Sequence, residues 1–84
     1  MSDSSKSVAL EFFAQFREDC GVSSETVQTT SRTAEELYTE LDRKYRFTSQ
    51  RKAIRVAVND ALTSWDTEIR DGDRVVFLTP FGGG

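Results

Sequence analysis

Residues 79–84 read Thr-Pro-Phe-Gly-Gly-Gly, and their residue types suit one kind of chemistry. Gly82, Gly83 and Gly84 carry no side chain, so they fit a channel too narrow for any other residue. Pro80 fixes the direction of the chain as it leaves the preceding segment. Phe81 is a bulky group suited to anchoring in a partner. Four residues past Pro80 extend about 14 Å, enough to place a carboxylate on Gly84 inside another protein's active site. A frayed end is the plainer reading. A presented carboxylate gains support because the glycines follow a strand pattern and a proline with no linker between.

The other reactive residue types lead nowhere comparable. The 84 residues include no histidine, the commonest general base and metal ligand. A metal site or a histidine-based triad within the chain is therefore not expected. Cys20 is the single cysteine, so no intramolecular disulfide can form, and a cytoplasmic location follows as the default. Nearby Glu18 and Asp19 raise a thiol pKa rather than lower it, so Cys20 reads as structural. Asp71 and Asp73 flank Gly72, and two carboxylates in so short a stretch read as turn residues before they read as metal ligands. Glu35, Glu36, Glu40 and Asp42 read as the solvated face and first turn of a helix.

Charge narrows the partners. The formal net charge is −3, which does not favour nucleic acid. Six cations (Arg43, Lys44, Arg46, Arg51, Lys52, Arg55) fall within thirteen residues that hold no acid, leaving −9 on the rest. A solvated face accounts for them first, and docking to an acidic partner second. No apolar run approaches the roughly 20 residues of a membrane span, and the start, MSDSSKS, lacks the apolar core of a signal peptide.

The elements that must position the 79–84 stretch come next. Residues 1–7 read as a loose tail. Val8–Phe16 reads as a strand, with Val8, Leu10, Phe12 and Ala14 on one face and Phe13 on the other. Arg17–Gly21 reads as a single helical turn or loop with a glycine stop, and Val22–Thr30 as a second strand. Thr33 and Glu36 form a capping-box pattern ahead of Ala34, Leu37, Tyr38, Leu41 and Tyr45 at helical spacing, predicting a helix over 34–45. Arg46–Lys52 is a polar connection. Ala53–Asn59 reads as a strand, Asn59-Asp60 as a turn, Ala61–Trp65 as a short returning strand, Asp71–Asp73 as a turn, and Arg74–Pro80 as a final strand stopped by proline. The first and last strands look apolar on both faces, which predicts that they lie side by side mid-sheet. One helix covers only one face of a sheet, so Phe13 and Leu78 are expected to stay uncovered and to mark a partner surface.

With those motifs in place, the chain resembles the small subunit of molybdopterin synthase, a ubiquitin-like sulfur carrier. The likeness runs from residue 8 onward and rests on FFAQFRE (Phe12–Glu18), VAVN (Val56–Asn59) and DGDRVVFLTPFGGG (Asp71–Gly84). The family pattern ends Asp-Gly-Asp, strand, Pro-Pro, two variable residues and Gly-Gly. Here Thr79 stands in place of the first proline and Gly82 at the second variable position. The resemblance implies an α+β, ubiquitin-like β-grasp fold: a mixed sheet of about five strands with one main helix packed on one face, spanning residues 8–80, between flexible tails 1–7 and 81–84.

It also implies a mechanism. An E1-like adenylating enzyme uses ATP to adenylate the Gly84 carboxylate. Sulfur from a desulfurase- or rhodanese-type donor displaces AMP and leaves a thiocarboxylate. The large synthase subunit then takes up the tail and uses that sulfur to build the dithiolene of molybdopterin from cyclic pyranopterin monophosphate, within a heterotetramer of two small and two large subunits. The carrier itself is not an enzyme and binds no cofactor. By position, the family's partner-facing surface falls on Phe13, Leu62 and Leu78. Three other readings stand beside this one: a sulfur carrier for another product such as the thiamine thiazole, a ubiquitin-like modifier joined to lysines, and an interaction module whose glycines do nothing.

Overall fold

The computed structural model describes residues 5–79. The expected tail 81–84 and Pro80 lie outside them, as do residues 1–4. Five strands form one sheet: β1 (Lys6–Glu11), β2 (Ser24–Thr29), β3 (Arg55–Val58), β4 (Ala61–Thr63) and β5 (Arg74–Leu78), in the order β2-β1-β5-β3-β4. β1 and β5 run parallel at the centre, and the other pairings are antiparallel. Two helices complete the fold, α1 (Ala14–Cys20) and α2 (Ala34–Tyr45), with a 3-10 turn at Arg51–Ala53. This is the β-grasp arrangement that the resemblance implied, with the first and last strands adjacent as their two-sided apolar pattern predicted.

Alternation along the strands builds the core. Val8 and Leu10 of β1, Val56 of β3, and Val75 and Phe77 of β5 are all buried, in one cluster with Ala34, Leu37, Tyr38 and Leu41 of α2. Phe77 sits at the centre of an aromatic group, with ring centroids 5.1 Å from Tyr38 and 6.0 Å from both Phe16 and Trp65. α2 starts as its capping pattern predicts: Thr33 Oγ1 accepts from the Glu36 N–H at 3.2 Å. The Glu36 carboxylate reaches back one residue further than the usual box, accepting from the Arg32 N–H at 2.8 Å. Two more of the helix's orphan N–H groups donate to the 64–73 loop, from Ala34 to the Thr67 carbonyl at 3.0 Å and from Glu35 to the Trp65 carbonyl at 2.9 Å.

Several boundaries differ from expectation. The strand predicted over Val8–Phe16 ends at Glu11, and Ala14–Cys20 is a helix rather than a single turn beginning at Arg17. Phe12 and Phe16 are both buried, and a spacing of four satisfies a strand period of two as well as a helical face, so the pattern alone could not separate them. At the other end β1 begins at Lys6, placing residues 6 and 7 in the sheet. The Lys6 ammonium is held by the carbonyls of Ser31 at 2.9 Å and Ile69 at 3.1 Å, an anchor that no apolar pattern announces. β2 and β3 are each shorter than read, since Val22 lies in a bend and Ala53 closes the 3-10 turn.

Candidate functional site: the open sheet face beside the end of β5

α2 packs on one face of the sheet, and the strand registers define what the other face carries. Glu11, Val76, Ala57 and Leu62 stand opposite one another in a row across β1, β5, β3 and β4. One step toward the end of β5, Leu78 stands opposite Arg55. Val76 and Ala57 are 8% exposed, Leu62 is 69% exposed, and Phe13, in extended backbone just before α1, is 50% exposed. The row therefore opens from a covered centre to uncovered apolar side chains at its rim.

A recess of about 270 Å³ at the end of the row is lined by Phe13, Ala14, Phe77, Leu78 and Thr79. Phe13 and Leu78, flagged from the sequence, thus line one recess, and Leu62 flanks the same face. Leu78, expected to stay uncovered, is half-buried, with Arg55 standing opposite it on the neighbouring strand. Ala14 enters α1 with φ of +50°, a left-handed conformation costly for a residue with a Cβ; that turn ends the extended backbone of Phe13 and starts the helix that buries Phe16. Thr79, the last described residue, lies at the recess.

The opposite end of the face is polar and held shut. The Asp-Gly-Asp stretch is a clamp between β1 and β5. Asp71 Oδ1 accepts from the Ser7 N–H at 2.7 Å, and Asp73 Oδ2 accepts from the Arg70 N–H at 2.8 Å. Gly72 has φ of +87°, a conformation that L side chains adopt at a cost. Asn59 and Asp60 form the two-residue β3–β4 turn with φ of +52° and +73°, both positive as a type I′ hairpin turn demands. Asn59 Nδ2 donates to Asp73 Oδ1 at 3.0 Å. The Arg74 guanidinium bridges Glu11, at 2.6 Å, and Asp60. The clamp fixes the register of β5 and hence where its far end delivers the chain.

A larger groove, about 770 Å³, lies beside the start of α2 and includes Glu35, Glu36, Glu40 and Asp66. Each of these carboxylates is already engaged: Glu35 by Arg51, Glu36 by the Arg32 N–H, Glu40 by the Thr29 and Ser31 hydroxyls, Asp66 by the Ser64 hydroxyl. Among the described residues no group of three His, Cys, Asp or Glu side chains is arranged to hold a metal, and no helix is long and apolar enough to cross a membrane. Cys20 is half-buried against the core. Burial, then Asp19 and Glu25, push its thiol up to about 11, so it stays protonated and a poor nucleophile at neutral pH.

Residues 10–84 match the ThiS family. The chain belongs to the ThiS family. It is a ubiquitin-like protein of the superfamily that also holds the molybdopterin synthase small subunits, a group of small sulfur carriers. A Pyrococcus furiosus protein assigned as subunit 1 of a molybdopterin converting factor is similar to this ThiS-family chain, with 28% identity and a TM-score of 0.76, over 89% of this chain and 98% of its own. The complex of subunits 1 and 2 of the Helicobacter pylori molybdopterin-converting factor includes a chain that is 26% identical, with a TM-score of 0.62, over 93% of this chain and 99% of that one. Small archaeal modifier protein 1 of Haloferax volcanii shares the fold at 19% identity, with a TM-score of 0.76, over 93% and 99% of the two chains. No curated protein matches the sequence.

The structure also carries site features that composition and spacing left unread. Ala57 and Val76 form the covered centre of the open face, and neither was singled out from the alternation of its strand. Ala14, placed by its pattern at the end of the first strand, instead opens α1 and lines the recess. Only the ladder registers bring these residues together with Leu62.

Proposed function

We propose that this ThiS-family chain is the sulfur-carrier subunit of a molybdopterin synthase. The observation that carries the reading is the convergence of exposed Phe13 and Leu62 and half-buried Leu78 on one open sheet face with the end of β5, next to Thr79. A partner that grips this face holds a rigid, clamped strand, and about 14 Å of extended chain then delivers Gly84 to its active site. In this reading Pro80 sets the exit direction, Phe81 anchors beside the entrance, and Gly82 and Gly83 thread a narrow channel. The similarity to the Pyrococcus and Helicobacter chains supports the molybdopterin reading.

The chemistry follows from the carboxylate. Attack on a carboxylate anion adds charge to charge, so an E1-like partner first transfers AMP from ATP to the Gly84 oxygen, releasing pyrophosphate. A persulfide or sulfide donor attacks the acyl carbon and AMP leaves; with a persulfide, reduction of the resulting acyl disulfide frees the thiocarboxylate. The thiocarboxylate sulfur is nucleophilic at neutral pH, and docking supplies the proximity that makes attack on the pterin precursor effectively unimolecular. The acids, bases and cations then belong to the large subunit, expected as a dimer flanked by two carriers. The test is reconstitution: thiocarboxylated protein, the same organism's large subunit and cyclic pyranopterin monophosphate should yield molybdopterin. Sulfur delivered instead to a thiamine thiazole synthase, or a ladder of lysine conjugates in extracts, would replace the molybdopterin reading.

A further inference from the structure

The basic stretch of Arg43–Arg55 is absorbed neither by the core nor by the carrier mechanism, and the fold disperses it. Lys44 pairs with Glu25 at 3.0 Å and Arg51 with Glu35 at 3.3 Å. Arg43 and Lys44 belong to α2, which covers the opposite face of the sheet. Arg55 alone of the six is carried by a strand, and its register with Leu78 puts it on the open face. Its guanidinium meets no carboxylate among the described residues; its hydrogen bond goes to the neighbouring Ile54 carbonyl at 3.5 Å. The other charged groups on this face, Glu11, Arg74 and Asp60, pair among themselves at the far end and leave one negative charge there.

The open face therefore presents an apolar recess with one uncompensated cation at its edge, joined by Leu78, which both lines the recess and faces Arg55 across the ladder. We propose that this pair reads a partner protein segment carrying a bulky apolar side chain beside an aspartate or glutamate. The recess of about 270 Å³ takes the apolar side chain, and Arg55 pairs with the carboxylate, bidentate geometry being available to a guanidinium. Apolar contact supplies most of the grip, while the charge pair selects the partner and its orientation and speeds encounter. The inference rests on the carrier reading, because it assigns the chemistry of the surface that grips the carrier.

Calorimetry with the full chain against the same organism's adenylating enzyme and large subunit, at 50 mM and 500 mM salt, tests it. Arg55→Glu should weaken binding to at least one of them about tenfold at the lower salt, mostly through the association rate, and about twofold at the higher salt. Arg55→Lys, which keeps the charge but loses the bidentate fork, should fall between the wild type and Arg55→Glu. Arg55 is exposed, so both variants should melt with the wild type. Unchanged affinity of Arg55→Glu for both partners overturns the inference, while thiocarboxylate formation on Gly84 would still uphold the carrier reading. A wild-type chain that binds neither partner overturns both. A defect that disappears when residues 80–84 are deleted from both chains would assign Arg55 to the protein's own tail. A change in sedimentation of the variant alone would assign the face to a second copy. Either result overturns the proposed partner segment.

Discussion

Truncating Leu62 separates docking from folding. Leu62 is 69% exposed, so a partner can still gain about 1–2 kcal/mol of the roughly 1.5–3 kcal/mol that full burial of a leucine brings. What the leucine already buries within the fold is worth at most about 1 kcal/mol on the same scale. Leu62→Ala should therefore weaken binding of the large subunit about five- to thirtyfold and shift the urea midpoint only slightly. The two quantities are read by calorimetry and by urea unfolding on the same preparation. The β3–β4 turn is held by Asn59 and by the Arg74–Asp60 pair, so the hairpin should survive the change. Wild-type affinity in a folded Leu62→Ala variant would refute the reasoning, because it would show that the exposed apolar rim is not what the partner covers.

Other consequences lie deeper in the fold. Phe77 is 1% exposed and packs on Phe16, Tyr38 and Trp65; Phe77→Ala should cost about 3–5 kcal/mol, seen as a large fall in the urea midpoint. Cys20, with its thiol pushed up to about 11, should react slowly with iodoacetamide at pH 8 and speed up toward pH 11, and Cys20→Ser should leave sulfur loading of the tail unchanged. Glu25 is held below its ordinary value of 4.5, first by the Tyr45 hydroxyl and also by Lys44. A lowered carboxylate contributes its full stability above the unfolded value and loses it as pH falls through the folded one. Glu25→Gln should therefore flatten the decline of stability below pH 4.5, measured by urea titration across that range.

Much of the scaffold was legible because its signals are local. The capping pair Thr33 and Glu36 and the stripe from Ala34 to Tyr45 marked α2 to the residue. The two-sided apolar pattern of β5 placed it beside β1 at the sheet centre. What stayed hidden was non-local. Ile69 is 1% exposed in a loop with no periodic pattern, held by its N–H donating to the Arg32 carbonyl at 2.9 Å. α1 was masked because Phe12 and Phe16 obey both periods, and the break between them is an alanine rather than a glycine. Phe13 was found uncovered for a reason other than the one expected: it precedes a helix rather than lying on the back of a strand. Arg55 needed the ladder register, since in sequence it is one of six similar cations.

The central claim, that Gly84 carries the chemistry, has one direct test: the intact mass of the chain after incubation with the E1-like enzyme, ATP and a sulfur donor. The account predicts a shift equal to exchange of one carboxylate oxygen for sulfur, dependent on ATP and abolished by deleting Gly84. An unchanged mass, with no adenylate trapped when the donor is withheld, would contradict it.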